Sequence, residues 1–208
     1  MVLACVFGSI AGLRPGGFAD RVISVLVVVI QAVPPFIVAL SAVSLLAVKV
    51  RLFPTSGLTD AGAAITAGSA ARHLVLPALV LGVSQLPWLV VGLREAITRA
   101  AGSDAVRGAH ARGLPRRVVD LGHVVPMSAA PFFALIGGRL PELLIGAAVV
   151  ETVFAWPGLG GATVDSARAM DFSLLAIVTV ITVGLVLVGN LAADVAAIAV
   201  DPRIEADG

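Results

Sequence analysis

The sequence has no tyrosine, one cysteine (Cys5), one lysine (Lys49), and charged side chains at only 13% of its 208 residues. A single cysteine excludes an internal disulfide, and with it the small secreted folds that depend on such bridges. A soluble domain is about 25% charged and about 45–50% apolar. Here the apolar share is 59% and the mean hydropathy +1.05, which excludes a disordered chain. A net charge of +1 supplies no basic field to hold a nucleic acid. His73, His110 and His123 have no metal-ligand spacing, no nucleophile–base set is visible, and no G-x-x-x-x-G-K-[ST] phosphate loop occurs. The chain is therefore read as no enzyme, binding no metal and no cofactor of its own.

What is present is one apolar run after another. A membrane helix needs about 20 mostly apolar residues. Windows 22–48, 74–93 and 172–193 are charge-free and of that order, and 124–150 is a fourth, interrupted by Arg139 and Glu142. Residues 1–13 make about half a span, closed by the turn signal Arg14-Pro15-Gly16-Gly17. This run lacks the basic start of a signal peptide. Cys5 is preceded by only four residues, too few for a lipoprotein signal, and reads as a small buried hydrophobe. Pro34-Pro35 must break or kink the first full window, and Pro77 and Pro87 raise the same question in the second.

The cations are unevenly placed. Successive loops alternate sides, so the first loop, the third loop and the tail share a side that holds nine cations: Arg14, Arg21, Arg94, Arg99, Arg107, Arg112, Arg116, Arg117 and Arg203. The other side holds four, Lys49, Arg51, Arg72 and Arg168. The positive-inside bias puts the 94–117 loop and the C-terminus in the cytoplasm. The half-span 1–13 then enters from outside, as the end of a helix whose start is missing. Either the true start lies upstream of Met1 or the gene is truncated.

The loop over about 99–123 is too patterned for a plain connector. Asp104 suits a helix N-cap. Residues 105–112 can form two turns, and Gly113 falls at the C′ position, where a left-handed conformation costs glycine nothing. Pro115 suits the first residue of a second helix. That helix has Arg116, Arg117 and Asp120 on a polar side and Val118, Val119 and Leu121 on an apolar one, and ends at Pro126, where the next span begins. Gly108, Ala109 and Ala111 are small enough for another protein to approach the first helix closely. The arginines taken singly read as anchors at anionic lipid.

This loop resembles the EAA coupling motif of ATP-binding-cassette importer permeases: Asp104-Ala-Val-Arg-Gly-Ala-His-Ala-Arg-Gly113-Leu, followed by Pro126. Glu151-Thr-Val-Phe-Ala-Trp-Pro-Gly-Leu-Gly160 is similar to the E-T-x-F-x-W-P-G-x-G segment of the dipeptide/oligopeptide/nickel permease subfamily. Asp201-Pro-Arg-Ile204, Leu52-Phe-Pro-Thr-Ser-Gly57 and Arg72-His-Leu-Val-Leu-Pro77 match it too. The resemblance covers nearly the whole chain. It implies an all-α, polytopic helical bundle of the type I importer permease fold, with about five hydrophobic helices, the first incomplete, in one transmembrane domain over 1–208. It also implies a multi-pass protein of the bacterial cytoplasmic (inner) membrane. Its partners would be a second permease subunit, identical or not, two cytoplasmic ATPase subunits that bind ATP and Mg, and an extracytoplasmic solute-binding protein. Asp104, Arg107, Gly108, Ala109, His110, Arg112, Gly113 and Pro126 would couple it to the ATPase. A family member would have a preceding helix, an external segment and the first half of the 1–13 span.

Four polar residues are candidates for the translocation path: Gln85, Arg139, Glu142 and Glu151. A charge at mid-membrane costs at least about 2.5–3.5 kcal/mol, so Arg139 should face protein or water. Glu142, three residues on, would share its helix face. The two either form a local ion pair or line the path and meet a peptide terminus. The resemblance is weakest here, since the family usually has an uncharged polar or small residue at these two positions, with glycines where this chain has Pro141-Glu142. Gln85 is more often a bond between helices than a ligand, and Trp156 reads as an interfacial anchor. The rival readings are an ion-coupled secondary transporter using Arg139 and Glu142, which should show internal repeats that are not seen, and an inactive truncated permease.

Overall fold

Prolines and glycines punctuate the apolar runs, and most helices start and stop at them. In a computed structural model that describes residues 1–200, every regular element among the described residues is helical. The ending Asp201-Pro-Arg-Ile204 lies outside the described residues. In chain order the helices are α1 (Val2–Leu13), α2 (Phe18–Ala32), α3 (Pro35–Ala42), α4 (Ala67–Ala101), α5 (Asp104–Ala111), α6 (Arg116–Val119), α7 (Val125–Gly138), α8 (Leu140–Phe154), α9 (Leu159–Arg168) and α10 (Phe172–Val200). Wider π-helical turns extend α3 over Val43–Lys49 and join α6 to α7 over Asp120–Val124. Among the described residues, α4, the continuous stretch Arg116–Gly138 and α10 are long and apolar enough to cross a membrane. The count reaches five if Phe18–Ala32 with Pro35–Lys49, and Leu140–Phe154 with Leu159–Arg168, are each one bent span.

Window 22–48 breaks where its prolines stand. Pro34 is extended (φ −56°, ψ 140°), and Pro35 opens α3, where its missing N–H leaves no bond unmade. Pro77 and Pro87 leave α4 a single helix. Window 124–150 departs from expectation, because it is not one helix. α7 ends at Gly138, Arg139 caps it, and α8 begins at Leu140. The pair Gly137-Gly138 weakens the helix there, and Pro141 falls in the first turn of α8, where its ring has no preceding turn to clash with. Arg139 therefore occupies a junction rather than the middle of a helix.

The chain divides into two units, each with its own core. The first comprises Met1–Ile30, Leu86–Leu140 and the described residues from Leu187 onward. One of its clusters joins Leu93, Ile97 and Ala100 of α4 to Val106 and Ala109 of α5, Val119, Val124 and Phe132; another joins Ala4, Val27 and Val90. α1 meets α4 through its small residues: Ala4, Gly8, Ala11 and Gly12 are its buried positions. A Cβ at Gly8 would lie 2.9 Å from Leu93 Cβ, and one at Gly12 2.8 Å from Ile97 Cβ. No side chain packs that closely, so the helices reach this distance only with glycine. Cys5, expected to be buried, is exposed.

The second unit comprises Gln31–Gln85 and Pro141–Val186. Its core is Ala39, Ala47, Leu76, Val80, Val150 and Phe154, with Phe53 and Trp156 packed against it. Gly57, in the left-handed region at φ +78°, donates its N–H to the Phe154 carbonyl at 2.9 Å. Three sequence segments that resemble the permease subfamily, 52–57, 72–77 and 151–160, thus meet in one core. α9 turns 81° away from α8.

Candidate functional site

The elbow forms over 103–119 as the sequence suggests, with its start displaced by one residue. Ser103, not Asp104, is the N-cap of α5, accepting from the Val106 N–H at 3.4 Å. Asp104 is the first helical residue, where its charge meets the positive end of the helix dipole, and it pairs with Arg107. At the other end Gly113 takes φ +79°. Its N–H donates to the His110 carbonyl at 2.9 Å, and the Leu114 N–H to the Ala109 carbonyl at 3.3 Å. These two bonds satisfy carbonyls that a helix end otherwise leaves bare, and they require the left-handed residue between them. Pro115 is the extended N-cap of α6 rather than its first residue.

Two further expectations are corrected. Pro126 does not start a new helix, since the chain is helical from Arg116 to Gly138. The wide turn at Asp120–Val124, closed by the Val125 N–H on the Asp120 carbonyl, precedes Pro126 and gives its ring room in the first turn of α7. The apolar side of α6 holds only at Val119, which is buried; Val118 is 50% and Leu121 70% exposed. At about 100° per residue, Val118 and Leu121 share one face and Val119 points away from it.

The elbow has an inner and an outer face. Val106 and Ala109 point inward, and Ala109 is fully buried. Asp104, Ala105, Arg107, Gly108, His110, Ala111, Arg112 and Gly113 are exposed. Nothing lies within 4 Å of where a Gly108 Cβ would stand. Ala109, expected to be open to a partner's approach, packs its side chain against the elbow's own core. Arg116 Nη2 donates to the Leu13 carbonyl at 3.0 Å and so fastens α6 to the last turn of α1.

Beside the elbow lies an ion pair that the sequence reading did not single out. Asp20 of α2 is buried, and its carboxylate takes both arms of Arg94 of α4, Nε at 2.5 Å and Nη2 at 2.8 Å. The Gly16 N–H donates to the same carboxylate at 2.8 Å and the Ser24 hydroxyl at 3.5 Å. No local signal marks the pair, since Asp20 lies between the apolar runs 1–13 and 22–48, beside Arg21.

The four path candidates divide between the two units. In the first unit, Arg139 lies over the Trp88 ring, 3.9 Å from its centroid, a cation–π contact. In the second unit, Gln85 lies close to Gly146, whose Cβ would stand 3.7 Å from Gln85 Nε2, and Glu142 is exposed in the first turn of α8. Glu151 has a structural partner: its Oε2 accepts from the Gly161 N–H at 2.7 Å, capping the start of α9. Gly158 borders the carboxylate so closely that a Cβ there would overlap it, and a Cβ at Gly160 would lie 2.5 Å from Ala148 Cα. The spacing of the Glu151–Gly160 segment is the spacing of this cap.

Residues 4–206 match the family of binding-protein-dependent transport system inner membrane components. The chain belongs to this family. It is 33% identical over 205 residues to the oligopeptide transport system permease protein AppB of Bacillus subtilis (strain 168), a match covering 99% of this chain and 65% of that one. It is 32% identical over 221 residues to the oligopeptide transport system permease protein OppB of Mycobacterium tuberculosis (strain ATCC 25618 / H37Rv), covering 98% of this chain and 68% of that one. It is 38% identical over 141 residues to the probable D,D-dipeptide transport system permease protein DdpB of Escherichia coli (strain K12), covering 67% and 41%. The chain thus spans about two thirds of the length of AppB. Family membership and the apolar helices make it a multi-pass membrane protein, and its all-helical architecture is the one the sequence implied.

Proposed function

We propose that the chain is a permease subunit of an ATP-driven importer, moving peptides or a related small solute across the cytoplasmic membrane. The observation that carries this reading is the elbow: two helices joined by a fixed left-handed glycine, with an inner face in the same core as α4 and α7 and an outer face open. Lipid anchoring requires neither the glycine nor the shared core. The outer face at Ala105, Gly108 and Arg112 receives a cytoplasmic ATPase, two copies of which bind ATP and Mg and drive the cycle. A second permease completes the pathway, and an extracytoplasmic binding protein delivers the solute. The elbow and the C-terminus face the cytoplasm, as the distribution of cations supports. The substrate class follows the oligopeptide and dipeptide systems to which the relatives belong.

The test is uptake into proteoliposomes holding this chain, its second permease and the ATPases, with the binding protein supplied outside. Peptide uptake that requires both ATP and the binding protein is expected. Uptake driven by an ion gradient in the absence of the ATPases overturns the reading.

A further inference from the structure

The second unit contains a cavity of about 310 Å³ against α9 that the elbow does not use. It falls at the small end of small-molecule pockets, about 300–1,000 Å³. Trp156 and Val164 supply apolar wall, and Glu151, Asp165 and Arg168 supply charge. Asp165 and Arg168 stand one turn apart on α9, where an ion pair would ordinarily form. No ion pair joins them among the described residues, and neither side chain has a hydrogen-bond partner. Glu151 spends Oε2 on the Gly161 N–H, while its Oε1 and the Trp156 indole N–H make no hydrogen bond among the described residues. Two carboxylates, a guanidinium and an indole therefore border one small cavity with most of their bonding capacity unspent.

The ligand that matches this set carries an ammonium group and, a few atoms away, a carbonyl or carboxylate oxygen. An ammonium is held by carboxylates and by the face of an indole. A guanidinium holds the oxygen. The excess of negative charge in the lining disfavours a simple anion. We infer that this cavity is a binding subsite for the amino-terminal end of a free short peptide, with the α-ammonium between Glu151 and Asp165 beside Trp156 and the first carbonyl on Arg168. The choice of a peptide rests on the proposed function; the requirement for an ammonium comes from the cavity.

The chain has two tryptophans, Trp88 and Trp156, so full-length protein labelled with 5-fluorotryptophan in nanodiscs gives two ¹⁹F resonances. Trp88→Phe assigns them, and Trp88, in the first unit, is the internal reference. Trialanine is expected to shift the Trp156 resonance saturably and leave that of Trp88 in place. N-acetyl-trialanine, which has no ammonium, should bind roughly tenfold more weakly or worse. Asp165→Asn and Arg168→Gln, both at exposed positions, should each weaken trialanine binding several-fold. No saturable Trp156 shift at millimolar trialanine, or equal binding of the acetylated peptide, overturns the subsite. ATP-driven trialanine uptake by the reconstituted assembly is measured in parallel. Uptake without a Trp156 response rejects the subsite and keeps the permease reading; a Trp156 response without uptake does the reverse.

Discussion

Adjacent residues of α5 should respond in opposite ways, and the contrast separates folding of the elbow from its docking. Ala109 is fully buried among Leu93, Ile97, Val106, Val119, Val124 and Phe132. Ala109→Leu adds three carbons to a filled core, which costs about 1–3 kcal/mol. Gly108 is exposed, with open space where its Cβ would stand. Gly108→Ala should stabilise the helix by about 0.5–1 kcal/mol, since a glycine in a helix interior loses more backbone freedom on folding. Gly108→Trp should stay within about 0.5 kcal/mol of wild type, as surface changes do, while placing an indole on the outer face. Two measurements on each purified variant decide the matter: the apparent melting temperature in detergent, and the yield of ATPase that co-purifies. Ala109→Leu should melt below wild type and Gly108→Ala above it. Gly108→Trp should melt with wild type and lose the ATPase. Wild-type melting of Ala109→Leu would refute the packing argument, and a full yield of ATPase with Gly108→Trp would refute docking on this face.

Three further perturbations test the supports around the elbow and α9. Asp20→Ala and Arg94→Ala should each lower stability by about 2–4 kcal/mol, somewhat below the range for fully buried pairs because the Arg94 side chain is 32% exposed; the double variant should cost clearly less than the sum, and additive losses in a double-mutant cycle would argue against the pair. Glu151→Ala removes the cap on α9 and should cost about 0.5–2 kcal/mol, whereas Glu151→Gln, which keeps an acceptor oxygen, should recover most of that in the same melting assay. Ala155 is held at φ +46°, a conformation that costs an L-residue about 1–2 kcal/mol; Ala155→Gly should therefore raise stability by up to about 1 kcal/mol, and a drop in melting temperature would mean that the left-handed turn is not strained.

The parts of the molecule that could be read from sequence are those fixed by neighbours in the chain. Gly113 had to be left-handed because a helix ending there needs its last carbonyls bonded, and Pro34-Pro35 had to break the first full window because a proline can neither donate nor pack against the preceding turn. Residue types in order supplied the family. The errors lie where a distant segment decides. Asp20 and Arg94 are 74 residues apart, so nothing in the local pattern links them. Ala109 looked like a docking residue because it is small; it is small because α4, the turn after α6 and α7 converge on it. That Glu151 also caps α9 was not legible, because that helix begins only after a left-handed turn at Ala155 that side-chain periodicity does not signal.

That convergence on Ala109 has a mechanical consequence. The elbow could have hung from α4 and α7 by its two covalent tethers alone, in which case a displacement of α5 would be absorbed by Gly102 before it and by Gly113 after it. Instead, Val106 and Ala109 share a core with Leu93, Ile97 and Ala100 of α4 and with Phe132 of α7. Arg116 is fixed to the end of α1, and Arg94, one turn before Ile97, is fixed to α2 through Asp20. Close-packed side chains resist compression, so a displacement of α5 acts on α4 and α7 through side-chain contact rather than through slack chain. A variant that loosens this core while leaving the outer face intact should therefore keep the ATPase bound and lose transport. Ala109→Gly is such a change. It removes one methyl group from the buried side and leaves every outer-face side chain in place, with the further cost of about 0.5–1 kcal/mol that a glycine brings to a helix interior. Co-purification at wild-type yield with reduced ATP-dependent uptake is the expected outcome, and full uptake would show that the tethers alone suffice.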